Sequence, residues 1–132
     1  MIGIDSNILV RFLLDDDPVW SPRATKFIEE ELSRENQGYV NIAVLVETIW
    51  SLRKSPLFER AKLATVVEGL LLFEKLVLAE REAVERALAR YRAGGAGFTD
   101  YLIAELNRAV GIERTVTIDK RASSKEAFHR LT

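Results

Sequence analysis

Short apolar runs alternate along this chain with longer segments in which apolar residues recur at helical spacing. The short runs are predicted as strands at residues 1–4, 38–41, 76–78 and 115–118, with an edge strand near residues 128–131. Strands separated by helices pair in parallel through right-handed crossovers, so helices cover both faces of the sheet. The chain is therefore predicted to adopt an α/β fold with a parallel sheet.

The helical segments are predicted from apolar periodicity and from residues that start or end helices. They cover residues 7–14, 42–53, 59–73 and 80–92, a segment beginning at Ser21, and a segment from Thr99 to Gly111. Ser21 followed by Pro22 is a favourable helix start, because serine can cap a helix and proline suits the first helical position. Thr99 is predicted to cap the helix that carries Asp100.

Length and composition place the chain among ordinary globular proteins. With 132 residues, 48% of them hydrophobic and 30% charged, it can bury a core, and a single domain over residues 1–132 is predicted. Its apolar stretches are far shorter than the roughly 20 residues that cross a bilayer, and Asp5 interrupts the N-terminus too early for a signal peptide. We expect a cytoplasmic protein without a membrane segment.

The residue types that the chain lacks restrict its chemistry. It has no cysteine, which excludes disulfides, thiol nucleophiles and cysteine-bound zinc, and its single histidine, His129, excludes paired-imidazole chemistry. The net charge of −1 gives no overall footprint of a nucleic-acid binder. A local excess exists instead, because residues 108–132 contain six basic side chains against three acidic ones. A polyanion would have to be held by this patch or through bound cations.

Four carboxylates each stand just beyond a short apolar run: Asp5, Glu47, Asp100 and Asp119. At the carboxyl ends of parallel strands, or in the first turns of the following helices, they could meet in one pocket. Charges brought that close repel strongly in a poorly solvated site, so the arrangement favours divalent cations among them. Ordinary roles stay open as well, because the aspartates suit turns or helix starts and the glutamate suits an exposed helix face.

Four short segments surround these acids in a specific order. They are Ile-Asp-Ser-Asn-Ile-Leu at residues 4–9, Val-Leu-Val-Glu-Thr-Ile-Trp at 44–50, Gly-Phe-Thr-Asp-Tyr-Leu-Ile-Ala at 97–104, and Thr-Val-Thr-Ile-Asp-Lys at 115–120. Over the whole chain this series resembles the PIN-domain nucleases, and within them the VapC-type toxins of toxin–antitoxin pairs. The resemblance implies a three-layer α/β/α sandwich around a central parallel sheet of four to five strands.

By that resemblance, Asp5, Glu47, Asp100 and Asp119 form the family's acidic quartet. The implied activity is hydrolysis of RNA phosphodiester bonds with Mg²⁺ or Mn²⁺, which prefer hard oxygen ligands. Asp5 and Asp100 are assigned as the main direct metal ligands. Glu47 and Asp119 then act through water or complete a second metal position.

Further residues and partners follow from the same resemblance. Asn7 is the polar residue that helps to order the site, and Thr117 matches the family's strand hydroxyl. The local basic excess points to Arg114, Lys120 and Arg121 as contacts for RNA phosphates. The implied partners are a second copy of the chain in a homodimer and a cognate VapB-like antitoxin, whose C-terminal segment obstructs the acidic pocket.

Two other functions compete with this one. A haloacid dehalogenase-like phosphohydrolase also carries an aspartate after its first strand, but it needs a second aspartate two residues later, where this chain has Asn7. A non-catalytic PIN-like scaffold that binds RNA or protein would be favoured by loss of acids, and all four are present. Magnesium-dependent cleavage of an RNA pool, abolished by a chelator, distinguishes the nuclease from the scaffold.

Overall fold

The computed structural model describes residues 1–123 and 128–131. The chain forms two compact units, Met1–Ala79 and Glu80–Thr132. None of the helices in the described ranges is long and apolar enough to span a membrane.

Three parallel strands organise the first unit: β1 (Ile2–Gly3), β2 (Gly38–Val40) and β3 (Leu76–Leu78). They pair in the order β1-β2-β3, with Ile2 opposite Gly38 and Gly38 opposite Leu76. The connections are helical, and they comprise α1 (Ser6–Leu14), α2 (Trp20–Lys26), a π-helical segment (Phe27–Glu31), α3 (Ile42–Arg53) and α4 (Arg60–Leu72). The predicted alternation is confirmed here, and the bounds of α3 and β3 match the prediction.

The core of the first unit closes tightly over its middle strand. A Cβ atom at Gly38 would lie 2.8 Å from Ile4 Cγ1 and 3.0 Å from Leu76 Cδ2, so the glycine lets these buried side chains meet over β2. Fully buried side chains from the helices complete this core, among them Leu9, Ile28, Leu45, Ile49 and Val67. Close packing of this kind fixes the strand ends that lead into α1 and α3.

The start of α2 differs from the prediction. The N-cap is Val19, which makes no side-chain capping bond, and Asp17 just before it satisfies the first N–H groups: its Oδ1 accepts hydrogen bonds from Trp20 N at 2.8 Å and from Val19 N at 2.9 Å. These two bonds, chiefly that from Trp20, lower the pKa of Asp17 because they stabilise the charged carboxylate. The buried Ser21 instead uses its Oγ to accept from the Asp17 N–H at 3.1 Å. Ser21 therefore lies inside α2, and the predicted start of this helix at Ser21 is one residue late.

The described part of the second unit contains two packed helices, a parallel strand pair and a short helix between the two strands. The helices are α5 (Arg81–Arg92) and α6 (Phe98–Ala109), followed by β4 (Thr115–Thr117), α7 (Lys120–Ser123) and β5 (Phe128–Arg130). The predicted inward face of α5 is buried, namely Val84, Ala87, Leu88 and Tyr91. Tyr91 packs edge-on against Phe98, with ring centroids 5.9 Å apart. Thr115 of β4 lies opposite Phe128 of β5.

A buried carboxylate connects α5 with α6. Glu105 is 1% exposed, and it accepts hydrogen bonds from Arg90 Nε at 2.7 Å, Arg86 Nε at 3.3 Å and Arg108 Nη1 at 3.4 Å. A buried charge is tolerated only when it is paired and hydrogen-bonded in this way. Arg108 is a local partner, three residues after Glu105 in α6, whereas Arg86 and Arg90 precede Glu105 by 19 and 15 residues, so only the packing of α5 against α6 brings the whole cluster together.

The chain therefore has the predicted α/β fold with parallel strands. The five strands found in residues 1–123 and 128–131 agree in number with the four to five expected, and hydrogen bonds connect them as a three-stranded sheet in the first unit and a two-stranded sheet in the second. The single domain over residues 1–132 stays a prediction.

Candidate active site

Asp5 lies where the first strand passes into the first helix. It is the N-cap of α1, with extended backbone angles of φ −84° and ψ 158°, and its Oδ1 accepts from Ser6 N at 2.7 Å. Its side chain is exposed. The position is the one predicted from sequence, at the carboxyl end of a parallel strand, and the capping role proposed there as the ordinary explanation is present as well.

Ser6 brings Asp5 and Glu47 together across the first unit. Its Oγ donates to Glu47 Oε2 at 2.8 Å and lies 3.5 Å from Asp5 Oδ1. Glu47 reaches this point because α3 begins directly after β2, where Asn41 Oδ1 caps the helix by accepting from Val44 N at 2.9 Å. Parallel pairing of β1 and β2 thus carries the starts of α1 and α3 to one edge of the sheet.

Ser6 is not among the site residues predicted from the sequence. The signal was available in the Asp-Ser-Asn segment, where a hydroxyl follows the capping acid at the first helical position. Its partner is 41 residues away, so only the fold identifies the contact. Asn7, the next residue of α1, is exposed and lines a cavity beside this helix. Its role in ordering the acidic site stays a prediction.

Asp100 occupies the first turn of α6 in the second unit. Its Oδ2 accepts from Gly97 N at 3.1 Å, so Gly97 is the N-cap and the predicted capping role of Thr99 is wrong. A Cβ atom at Gly97 would lie only 3.3 Å from Asp100 Oδ2. The glycine therefore leaves room for the carboxylate to reach the backbone N–H. Thr99 lies inside the helix instead.

Asp119 and Thr117 together form the turn between β4 and α7. Thr117 Oγ1 accepts from Asp119 N at 3.0 Å, and Asp119 Oδ1 accepts from Arg121 N at 2.7 Å and Ala122 N at 3.1 Å. Asp119 thus caps the short helix α7, and the strand hydroxyl fixes the backbone that carries it. The participation of Thr117 in the chemistry stays a prediction.

All four acids share one property. In each of them a single carboxylate oxygen accepts hydrogen bonds, and the second oxygen has no hydrogen-bond partner in the described part of the chain. The four acids are Asp5, Glu47, Asp100 and Asp119. The capping bonds fix a side chain and leave one carboxylate oxygen for a ligand. The ordinary and the functional explanations are therefore compatible.

Hard carboxylate oxygens are the ligands that Mg²⁺ and Mn²⁺ prefer, so the donor chemistry fits such an ion. The first unit supplies two carboxylates bridged by Ser6, and the second supplies two that cap α6 and α7. Within the described residues of either unit, no three acidic or histidine side chains are grouped closely enough to hold a metal ion. The gathering of all four acids in one pocket stays a prediction.

The predicted phosphate contacts lie near Asp119 in the chain. Arg114 precedes β4, Lys120 and Arg121 belong to α7, and all three side chains are exposed. The C-terminal basic excess also counted Lys125 and Glu126, which lie outside the described residues. Contact of these cations with RNA stays a prediction.

The sequence matches the PIN domain family over residues 2–127, which includes all four acids. The chain belongs to the PIN domain family. A search of curated proteins and a search of solved structures each found no match. PIN domains are generally nucleases that use a divalent metal, so membership supports hydrolysis of nucleic acid and disfavours the haloacid dehalogenase alternative. The predicted family is confirmed at this level.

Proposed function

We propose that this PIN domain is an endoribonuclease that depends on Mg²⁺ or Mn²⁺ and acts as the toxin of a toxin–antitoxin pair. The observation that carries the nuclease activity is the arrangement around Ser6, where a PIN domain places Asp5 and Glu47 at the carboxyl edge of β1 and β2. An exposed glutamate gains little stability from one serine. A glutamate oriented beside a second acid is instead typical of a site for a cation.

The proposed metal ligands are the four acids, with Asp5 and Asp100 binding directly and Glu47 and Asp119 binding through water or at a second position. A bound ion would supply Lewis-acid activation of water and charge stabilisation at the phosphate. The protein's own groups prepare this chemistry. Ser6 orients Glu47, and backbone N–H groups hold one oxygen of each aspartate, which limits the rotamers that the free oxygen can adopt.

Hydrolysis at such a site would leave a 5′ phosphate and a 3′ hydroxyl. The choice of RNA, the homodimer and the VapB-like antitoxin rest on the resemblance to VapC-type toxins. Arg114, Lys120 and Arg121 supply exposed positive charge for the RNA backbone. Growth arrest after induced expression, lost in an Asp5→Asn chain, would support the toxin role, and sedimentation of the purified protein measures the dimer.

Cleavage of a mixed RNA pool in Mg²⁺, with and without a chelator, tests the nuclease proposal. Asp5→Asn should abolish cleavage and leave thermal stability nearly unchanged, because asparagine caps a helix about as well as aspartate. Glu59→Gln is the matched control: Glu59 caps α4 through Ala61 N and Lys62 N, and it is not assigned to the site. That variant should cut RNA at the wild-type rate.

Two results would contradict the proposal. Cleavage by Asp5→Asn at the wild-type rate would show that this acid only caps α1. Binding of RNA without cleavage in Mg²⁺ or Mn²⁺, unaffected by a chelator, would favour the non-catalytic scaffold instead.

A further inference from the structure

A cavity of about 430 Å³ lies beside α1 in the first unit. Asn7 and Arg11 of α1 contribute to one side, Trp20 and Arg23 of α2 to the other, and Ile8 and Phe27 add apolar surface. Its volume falls within the range of sites for small ligands, roughly 300–1,000 Å³. Apart from Asn7, which is predicted to help order the acidic site, the residues that line this cavity have no role in the proposed chemistry at the four acids.

Trp20 is an unusual component of this cavity. It is 56% exposed, although tryptophan is usually largely buried because of its large apolar surface. The Arg23 guanidinium carbon lies 5.1 Å from its ring centroid, which is the geometry of a cation–π contact. The exposed indole is therefore held by a neighbouring cation and offers an aromatic surface beside the cavity.

The two arginines that line the cavity differ in whether they form an ion pair. Arg11 pairs with Asp16 at 3.3 Å, whereas no ion pair of Arg23 is found in residues 1–123 and 128–131. An aromatic face, a guanidinium without a carboxylate partner and the Asn7 amide are thus close together. A nucleotide needs this set: a stacking surface for the base, a cation for the phosphate and a group that can hydrogen-bond a base edge.

The cavity also adjoins the acidic site through α1. Asn7 is the second residue of the helix that Asp5 caps, and the rise of about 1.5 Å per residue places Arg11 roughly 6 Å farther along the axis. A single-stranded RNA bound at Asp5, at the N-terminal end of α1, would therefore need to extend only a short distance along the helix to reach the cavity.

We propose that this cavity binds one unpaired nucleotide of the RNA substrate, next to the bond that is cut. The base stacks on Trp20, Arg23 contacts a phosphate, and Asn7 contacts the base edge. This assignment depends on the proposed function for its substrate. An apolar peptide would use the Ile8 and Phe27 surface but would leave the Arg23 charge without a partner, so the nucleotide is favoured.

Tryptophan fluorescence tests the assignment without cleavage, because the titration is done in EDTA with a short single-stranded RNA. Trp50→Phe leaves Trp20 as the only tryptophan, and its emission should be quenched saturably. In Trp20→Phe the remaining fluorescence comes from Trp50, and its emission should show no saturable change as RNA is added. Trp50 is a matched control, since it is 59% exposed and also lies under a cation, Lys54 Nζ, at 3.6 Å.

Affinity measurements extend the test. Trp20→Ala should weaken RNA binding about tenfold to a hundredfold, the range for loss of one stacked base, whereas Trp50→Ala should change it less than twofold. Arg23→Ala should reduce the slope of log K against log salt by about 0.7, as expected for one lost phosphate contact on a single strand. Circular dichroism of each variant verifies that the fold is retained.

Several outcomes separate failure of this inference from failure of the proposed function. If Trp20→Ala binds RNA with unchanged affinity and unchanged KM while the wild type cleaves RNA, the nucleotide-binding role of the cavity is wrong and the nuclease proposal stands. Trp20 quenching by RNA in a protein that never cleaves would support the site and contradict the nuclease. A Trp20 response to a synthetic leucine–lysine amphipathic peptide, with none to RNA, would make the cavity a protein-docking groove and overturn the proposal.

Discussion

Removal of the Ser6 hydroxyl is the most selective perturbation of the candidate active site. Ser6→Ala deletes the Oγ that donates to Glu47 Oε2 at 2.8 Å, and it leaves the Ser6 N–H bond to Asp5 at 2.7 Å in place. The substitution therefore releases Glu47 without removing the cap of α1. Since the pair is exposed, the global stability of the protein should change little, and alanine suits the first turn of a helix.

The expected magnitude follows from this single contact. Hydrogen bonds to charged groups contribute about 1.5–3 kcal/mol when buried, and exposure to water places the Ser6–Glu47 bond at or below the lower end. A loss of about 1.4 kcal/mol in transition-state stabilisation is a tenfold loss in rate. We expect Ser6→Ala to lower kcat/KM about tenfold and to raise the Mg²⁺ concentration that gives half-maximal rate, because groups that orient metal ligands affect metal affinity.

Steady-state cleavage of a fluorescent RNA, titrated with Mg²⁺, measures both quantities. Ser6→Thr keeps the hydroxyl and should retain most activity. Ser51→Ala, which removes a hydroxyl one turn beyond Glu47 on α3, should change the rate less than twofold. In a Glu47→Gln background Ser6→Ala should have little further effect, because both changes remove the same interaction. Wild-type rate and wild-type Mg²⁺ dependence in Ser6→Ala would refute this role of the serine.

Two further predictions concern stability. Arg90→Met should lower the free energy of unfolding, measured in urea, by about 2–4 kcal/mol, because Arg90 makes the shortest contact, 2.7 Å, to the buried Glu105. Arg86→Met should cost less, and Arg81→Met, which breaks an exposed pair, should change the free energy by less than about 0.5 kcal/mol. Equal effects of the three substitutions would contradict this account. Because the pKa of Asp17 is lower in the folded protein than its ordinary value of 3.8, the ionised carboxylate stabilises the fold at pH values above 3.8. This contribution disappears as the pH falls through the folded-state pKa. The Tm values of the wild type and of Asp17→Asn should therefore differ most near neutral pH and converge as the pH decreases below about 4. A Tm difference that stays constant with pH would contradict the stabilising role of the ionised Asp17 carboxylate.

Most helices and strands were predictable because their signals are local. Short apolar runs predicted each strand of the described residues to within a residue or two. Helix α3 was predicted with its observed bounds because apolar residues fill nearly the whole segment after Asn41. The helix caps were harder. At α6 the sequence offers Thr99 as a cap, but the Asp100 carboxylate reaches the Gly97 N–H and begins the helix earlier. Neighbouring candidates of this kind compete within about 1 kcal/mol, so packing decides between them.

Sequence alone determined the chemistry available to this protein. The lack of cysteine and the single histidine left carboxylates as its resource, and the segments around Asp5, Glu47, Asp100 and Asp119 identified the family. Tertiary structure decided which groups touch within each unit. Ser6 meets Glu47 only because β1 and β2 pair in parallel, and Trp20 lies beside a cavity only because α2 packs along α1. Local sequence specifies turns, caps and periodicity, whereas contacts between distant residues depend on how strands and helices pack.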